Sequence, residues 1–183
     1  YDFWVWKMKK IGFLDVGHGE CSVIYILDSG SIVNTFVIDI TNSNKLRKEL
    51  TESNCRSIDA IIISHSDVDH SRDLASFIDG FIDIDHGVIK KIIYNIDKTI
   101  DKSKPDTKYV SMLKSIHNAI LKHKFVRESG SFDLTRDKRK VIYDDNGELI
   151  SIVYPSFDDI NFSSIHPGST NNMSIVCALR RWE

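Results

Sequence analysis

The sequence predicts a layered α/β domain in which helices cover a mixed β-sheet. Composition is the first indication, because the 183 residues include 26 Ile and 12 Val but only 10 Leu and 4 Ala. β-branched residues favour strands and alanine favours helices, so strands should dominate. The second indication is that strand-like and helix-like apolar patterns alternate along the chain. The hydrophobic fraction of 42% and charged fraction of 27% are typical of a soluble globular protein and exclude bulk disorder.

The N-terminal third predicts a β-meander followed by a buried strand. We expect strands over residues 11–16, 21–27 and 35–40, with a hairpin turn at Asp28-Ser29-Gly30-Ser31. The run 58–63 is short and almost continuously apolar, which is typical of a strand covered on both faces.

Helices and further strands follow from the same patterns. We expect helices over 44–52, 71–79 and 106–122, and the last has apolar residues at three- and four-residue spacing. The remaining predicted elements are a strand at 89–94, a hairpin of 140–143 with 148–154 around Asp145-Asn146-Gly147, and a final strand at 174–179.

Charge and cysteine content restrict the class of protein. The formal net charge of -2 excludes a general basic coat for nucleic acid, although a local basic groove is compatible with it. Cys21, Cys55 and Cys177 form no Cys-x-x-Cys pair, so we expect reduced thiols and a cytoplasmic protein. No apolar run reaches the roughly 18 residues that a membrane span needs.

Four metal-binding residue types lie within six positions, in His65-x-Asp67-x-Asp69-His70. This run directly follows the predicted strand at 58–63, and loops at strand ends often carry functional groups on a rigid scaffold. Mixed imidazole and carboxylate ligands suit Zn²⁺, Mn²⁺ or Fe better than Ca²⁺. The alternative is a solvated acidic loop with two surface histidines.

The run resembles the second motif of the metallo-β-lactamase fold, which is usually His-x-His-x-Asp-His. The form with Asp as the second ligand is similar to the ComEC-like branch, the hydrolase domain attached to DNA-internalisation competence proteins. Phe13-Leu14-Asp15-Val16-Gly17-His18-Gly19-Glu20-Cys21 resembles that branch's Asp-Val-Gly-Gln-Gly-Asp-Ala motif. Asn171-Asn172-Met173-Ser174-Ile175-Val176 resembles its Asn-Asn-x-Ser strand, and Asp39 matches the acidic residue that supports the ligand loop.

The resemblance implies a metallo-β-lactamase-like αββα sandwich over residues 1–183, with one or two divalent ions, Zn²⁺ or Mn²⁺. On the family pattern, His65 and Asp67 bind one metal, and Asp69 and His70 bind the other. Asp67 and Asp69 are the expected catalytic residues, with Asp69 orienting the attacking water, and Asp39 holds a ligand by a hydrogen bond. Further candidates near the site are Asp15, His18, His166 and Asn172.

The chain departs from the family pattern in three places. His18 and Glu20 replace Gln and Asp in the first motif, and Ser71-Arg72-Asp73 stands where the family has Gly-Gly. The family's later ligands follow the Asn-Asn-x-Ser strand, and no matching segment occurs before Glu183. Because the chain also lacks an initiator Met, we expect the N-terminal part of this fold, incomplete in its C-terminal half and belonging to a larger protein.

Three functions are compatible with these features. The first is a phosphodiesterase or nuclease that uses a metal-activated water, with nucleic acid or another phosphodiester as substrate. The second is a hydrolase of a small ester, lactone or amide, since one fold serves many substrates; a narrow apolar pocket would favour it. The third is a degenerate binding or effector module of a larger protein, such as a defence protein, which would bind no metal.

Other polar groups have ordinary interpretations. His86, His117 and His123 have no partners at ligand spacing, and we expect them at the surface. The basic groups are candidates for phosphate contacts or for solvated faces; they are Lys90-Lys91, Arg136, Lys138-Arg139-Lys140 and Arg180-Arg181.

Overall fold

The polypeptide begins with a β-meander and then alternates between strands and helices. The computed structural model describes residues 8–64, 68–94, 107–123, 128–131, 140–145, 148–154 and 176–181. Its strands are β1 (Met8–Phe13), β2 (Ser22–Asp28), β3 (Ser31–Ile38), β4 (Ser57–Ile58), β5 (Ala60–Ile63), β6 (Val88–Ile89), β7 (Lys91–Tyr94), β8 (Glu128–Ser131), β9 (Lys140–Asp145), β10 (Glu148–Tyr154) and β11 (Val176–Arg181). Its helices are α1 (Ser43–Glu52), α2 (Val68–Ser71), α3 (Leu74–Asp79) and α4 (Thr107–Lys122), with a π-helical turn at Gly80–Ile84.

Six strands form a mixed sheet in the order β1-β2-β3-β5-β7-β8. The first three are antiparallel, and β3, β5, β7 and β8 are mutually parallel. Parallel neighbours need crossover connections, and α1, the α2–α3 segment and α4 provide them. A three-stranded antiparallel sheet, β11-β10-β9, and a two-stranded parallel pair, β4 with β6, complete the described strands. The architecture is therefore mixed α/β, as the composition predicts.

Both faces of the six-stranded sheet are buried at its centre, whereas the edge strand β1 is largely exposed. On one face, side chains of alternate strand residues join the helices in one apolar cluster, which includes Val23, Val37, Ile61, Ile92, Leu46, Leu50, Leu74, Phe77 and Ile116. On the opposite face, five intervening residues are at most 2% exposed: Ile24, Ile26, Phe36, Ile62 and Ile93. All four residues of β5 are buried, which confirms the prediction of a strand covered on both faces.

The predicted strand at 58–63 is divided into β4 and β5, and the one at 89–94 into β6 and β7. Asp59 interrupts the first pair, since its backbone N–H donates to the Thr35 carbonyl and its carboxylate accepts from the Thr35 N–H, both at 2.8 Å. Lys90 interrupts the second pair, and its Nζ lies 2.7 Å from Asp59 Oδ1. The polar residues thus divide each run, and its two parts pair with different strands.

The first strand also differs from its prediction, because β1 covers Met8–Phe13 and ends before residues 14–16. Leu14 N–H donates to the Cys21 carbonyl at 2.9 Å and closes the hairpin there. Gly17 and Gly19 have φ of 79° and 97°, a region that suits glycine, so the intervening residues form a loop.

The first and last predicted helices are confirmed, because α1 and α4 each begin within one residue of the predicted start. The helix expected over 71–79 is instead two segments, α2 and α3, and the π-helical turn extends the second. The backbone breaks at Asp73, whose N–H donates to the Ile40 carbonyl and whose carboxylate accepts from Ser43 N. Within the described ranges, none of the helices combines the length and apolar character needed to cross a bilayer.

The C-terminal elements follow the predicted order. The hairpin of β9 and β10 is antiparallel as expected, with its Asn146-Gly147 turn outside the described residues. The last strand, β11, begins at Val176 and ends at Arg181, whereas the sequence predicts 174–179.

Candidate metal centre

The carboxyl ends of β3 and β5 lie side by side at one edge of the sheet. Asp39 follows β3, and its N–H donates to the Ile62 carbonyl at 2.9 Å. Ser64 follows β5 and leads toward α2, which carries His70. Polar groups that follow neighbouring parallel strands converge at such an edge, which is the usual place for a site in an open α/β sheet.

Asp39 is the centre of a buried hydrogen-bond unit. Its Oδ1 accepts from the Ser64 backbone N–H at 2.7 Å, and its Oδ2 accepts from the Ser64 hydroxyl at 2.7 Å. The same Oδ2 lies 2.8 Å from His70 Nδ1. Since a carboxylate only accepts, the imidazole proton is on Nδ1, and Nε2 is the ring nitrogen suited to bind a metal.

The backbone at Asp39 is unusual for a residue with a side chain. Its φ is 58°, in the left-handed region, and its side chain has no solvent exposure. Left-handed conformations of non-glycine residues are uncommon, and aspartate is among the residues that tolerate them best. The conformation is combined here with the three hydrogen bonds that the carboxylate accepts from Ser64 and His70.

Glu20 adds an exposed carboxylate to this group. One side-chain oxygen or nitrogen from each of Glu20, Asp39 and His70 lies within 4.8 Å of the other two. Glu20 is brought there by the β1–β2 loop, where the Thr41 hydroxyl donates to its carbonyl at 2.8 Å. The Glu20 carboxylate and the His70 imidazole are donors that fit Zn²⁺ or Mn²⁺, whereas both Asp39 oxygens accept from Ser64 and His70.

The neighbouring thiol is not suited to be a nucleophile at neutral pH. Cys21 is 2% exposed, and burial raises its pKa to about 12, with the negative charge of Asp39 acting in the same direction. A thiol in this environment remains protonated, so it packs as a small apolar group.

The predicted site residues are distributed as follows. His70 and Asp39 are in direct contact, and Asp69 belongs to α2 directly before His70. Asp15 and His18 are exposed in the β1–β2 loop, where Asp15 Oδ1 accepts from Gly17 N at 3.3 Å. His65, Asp67, His166 and Asn172 lie outside the described residues.

Two participants were not among the candidates from the sequence. Glu20 could have been identified from the motif comparison, because the motif that residues 15–21 resemble has an acidic residue at this position. For Ser64, the sequence offered only its position before His65. Its contact with Asp39 depends on the pairing of β3 with β5.

A second group of potential ligands, Asp79, Asp83 and His123, joins α3 and the π-helical turn to α4. His123 Nε2 lies 2.6 Å from Asp79 Oδ1, and Lys122 Nζ contacts Asp79 and Asp83 at 3.0 and 2.8 Å. Lys122 therefore balances these carboxylates. The expectation of a surface position is wrong for His123, which is 6% exposed because it packs between the helices, whereas His86 and His117 are exposed as expected.

The basic groups suggested as phosphate contacts have varied environments. Lys90 is paired with Asp59. Arg180 and Arg181 belong to β11, and residues 136–139 lie outside the described part of the chain.

Comparisons with known proteins find similarity among solved structures. No family model matches the chain, and no curated protein matches it. Among solved structures, it is similar to one described as a new diphosphatase from the PhnP family, with 14% sequence identity and a TM-score of 0.34. The match covers 72% of this chain and 42% of that chain, so it spans less than half of that structure's length. A superposition of this quality does not define a shared function.

Proposed function

We propose that this chain is the N-terminal part of a metallo-β-lactamase-like αββα sandwich and acts as a metal-dependent phosphodiesterase or nuclease. The observation that carries the proposal is the hydrogen-bond unit of Asp39, Ser64 and His70, with Glu20 beside it. It lies next to the His65-x-Asp67-x-Asp69-His70 motif, which we propose as the ligand set. The six-stranded mixed sheet and the three-stranded antiparallel sheet support the layered fold, as does the burial of both faces at the centre of the larger sheet.

The chain's own residues have distinct roles in this proposal. Asp39 fixes the orientation and tautomer of His70, because it holds Nδ1 while Nε2 faces the metal position. Asp69 orients the attacking water, and the exposed Glu20 carboxylate completes the negative charge that attracts a divalent cation. When bound, Zn²⁺ or Mn²⁺ supplies a nucleophile at neutral pH by lowering the pKa of water.

Backbone contacts hold the segment Ser71-Arg72-Asp73, which stands where the family that the motif resembles has Gly-Gly. Asp73, the third residue of Ser71-Arg72-Asp73, donates its N–H to the Ile40 carbonyl and accepts from Ser43 N at 3.1 Å. Ser71 is 2% exposed. The segment is thus accommodated by specific contacts, which weakens the case for a degenerate binding module.

Metal titration together with a turnover assay tests the function. We expect the protein to bind Mn²⁺ or Zn²⁺ in isothermal titration and to hydrolyse bis(p-nitrophenyl) phosphate with that metal. Asp69→Ala should abolish hydrolysis and leave the melting temperature unchanged. His117→Ala, at an exposed position on α4, is the matched control and should keep wild-type turnover.

Three results would count against this proposal. Unchanged turnover in Asp69→Ala would exclude the proposed role of that carboxylate. Metal binding without any turnover, or no metal binding by the intact protein, would instead favour a binding module.

A further inference from the structure

Arg72 lies beside the candidate metal centre, two residues after His70. Its guanidinium NH2 donates to the Thr41 carbonyl at 3.2 Å, and the Thr41 hydroxyl in turn donates to the Glu20 carbonyl at 2.8 Å. The side chain is 56% exposed. Arg72 is thus attached to Thr41, the residue that also holds the backbone carbonyl of Glu20.

The backbone fixes this position from both sides. Ile40 N–H donates to the His70 carbonyl at 2.8 Å, and Asp73 N–H donates to the Ile40 carbonyl at 3.3 Å. His70 and Arg72 are therefore held against the segment that follows Asp39. A cation fixed in this way is preorganised for a ligand at the centre.

A second cation, on helix α1, is attached to the β1–β2 loop that carries Glu20. The Lys45 ammonium, in the first turn of α1, donates to the Asp15 carbonyl. Backbone carbonyls carry no net charge, so these anchors leave the positive charges of Arg72 and Lys45 in place.

Three other described cations contact carboxylates directly at short distances. Arg47 forms two hydrogen bonds with Asp85, Lys90 contacts Asp59, and Lys122 contacts Asp79 and Asp83. Among the described side chains, Arg72 pairs with Asp73, whose Oδ1 lies 3.6 Å from Arg72 Nε, and the other Asp73 oxygen accepts from Ser43 N.

We propose that Arg72, assisted by Lys45, binds a phosphate group that flanks the scissile phosphodiester. The planar guanidinium can donate two parallel hydrogen bonds to phosphate oxygens. The inference rests on the proposed function and narrows its substrate class to phosphodiesters with a neighbouring phosphate, as in a nucleic-acid strand or a small phosphorylated ester. Arg72 belongs to the Ser71-Arg72-Asp73 segment, which stands where the family has Gly-Gly. On this proposal, the substitution contributes to substrate specificity.

Binding without turnover separates this inference from the proposed function. The probes are thymidine dinucleotide with a 5′-phosphate and the same dinucleotide without it, titrated calorimetrically into the protein in EDTA. We expect the wild type to bind the phosphorylated dinucleotide more tightly. Arg72→Ala should weaken its binding by about tenfold and remove the difference between the probes, because hydrogen bonds to charged groups are of this strength.

Two variants make the test specific. Arg72→Lys keeps the positive charge but loses the planar guanidinium that donates two parallel hydrogen bonds. This variant should retain part of the preference for the phosphorylated dinucleotide. Lys48→Ala is the control: Lys48 is an exposed residue of α1 whose nearest acidic partner is Glu52 at 3.7 Å, and it should bind like the wild type. A titration with inorganic pyrophosphate distinguishes a nucleic-acid strand from a small phosphorylated ester. If pyrophosphate binds more tightly than the dinucleotide, and this binding depends on Arg72, the site is assigned to a small phosphorylated ester.

Equal binding of the two dinucleotides by the wild type would overturn the inference, as would an Arg72→Ala variant that keeps the preference or a wild type that binds no probe. Hydrolysis of bis(p-nitrophenyl) phosphate, which has no flanking phosphate, reports on the proposed function separately. Lys48→Ala should leave this hydrolysis unchanged.

Discussion

At the scale of single residues, Asp39 connects the sheet to the candidate site. Its carboxylate is fully buried, and it accepts hydrogen bonds from Ser64 and His70. A buried carboxylate that accepts these hydrogen bonds stabilises the folded protein, and its removal leaves the donors without an acceptor.

We expect Asp39→Ala to lower Mn²⁺ or Zn²⁺ affinity by about 10- to 100-fold, because His70 loses the group that orients it. The free energy of unfolding should also fall by about 1–3 kcal/mol, since Ser64 and His70 lose a buried acceptor. Calorimetric metal titration and urea unfolding measure the two effects.

Asp28→Ala is the comparison for this variant. Asp28 ends β2, where it accepts from the Ser29 hydroxyl at 3.1 Å, away from the described ligand group. The variant should keep wild-type metal affinity, and equal losses in both variants would show that Asp39 has no special role.

At the scale of elements, the π-helical turn depends on a glycine just beyond it. Gly87 N–H donates to the Phe81 carbonyl at 2.8 Å, and a Cβ on Gly87 would lie 2.3 Å from Cε1 of the Phe81 ring. The Phe81 ring is 1% exposed and stacks on Phe77, with centroids 5.3 Å apart, so it has little room to move.

Gly87→Ala should therefore destabilise the protein by about 1–3 kcal/mol, the usual cost of overpacking a core. Urea unfolding is the measurement. Gly12→Ala is the matched control, because its nearest neighbour would be the Val23 carbonyl at an ordinary 3.9 Å. If both variants unfold at the same urea concentration, Phe81 has another position available.

The elements also show what the sequence can predict. Periodicity predicted most helices and strands to within a few residues, because their apolar faces pack against one core. It missed the divisions at Asp59 and Lys90, which arise when each half-strand pairs with a different neighbour. It also missed the burial of His123, since only the packing of α3 against α4 creates that environment.

At the scale of the whole molecule, acidic groups connect stability to pH. The Arg47 guanidinium donates to both Asp85 oxygens, at 2.6 and 2.8 Å, and lowers the pKa of that carboxyl. The hydrogen bond from His123 lowers the pKa of Asp79, with Lys122 acting in the same direction. A folded-state pKa below the unfolded value means that the unfolded chain binds protons first as the pH falls.

We therefore expect stability from these carboxylates to be complete above about pH 4 and to be lost as the pH falls through their folded pKa values. Urea unfolding over a series of acidic pH values measures this loss. Asp85→Asn should cost about 1–2 kcal/mol at neutral pH, with a smaller difference from wild type in acid.

Glu52→Gln provides the control for the acid series. Glu52 lies 3.7 Å from Lys48, and both side chains are more than 60% exposed, so this pair should contribute little. Equal pH dependence of Asp85→Asn and the wild type would exclude the Arg47–Asp85 pair as a source of acid sensitivity.

The candidate site could be predicted from the sequence only where its residues are neighbours in the chain. His65, Asp67, Asp69 and His70 form a recognisable local pattern, and the resemblance to a family singled out Asp39. The contacts of Glu20, Ser64 and Arg72 depend on β-strand order and on the pairing of Ile40 with His70. No periodicity encodes such contacts.

The separation of 31 residues between Asp39 and His70 has a consequence for folding. The local histidine and aspartate motif is already present in the unfolded chain, where it can attract a cation weakly. The support from Asp39 and the approach of Glu20 exist only after β3 and β5 have paired. On the proposed function, a cation would bind the folded chain more tightly than the unfolded one, and that difference in affinity would set how much metal stabilises the native state.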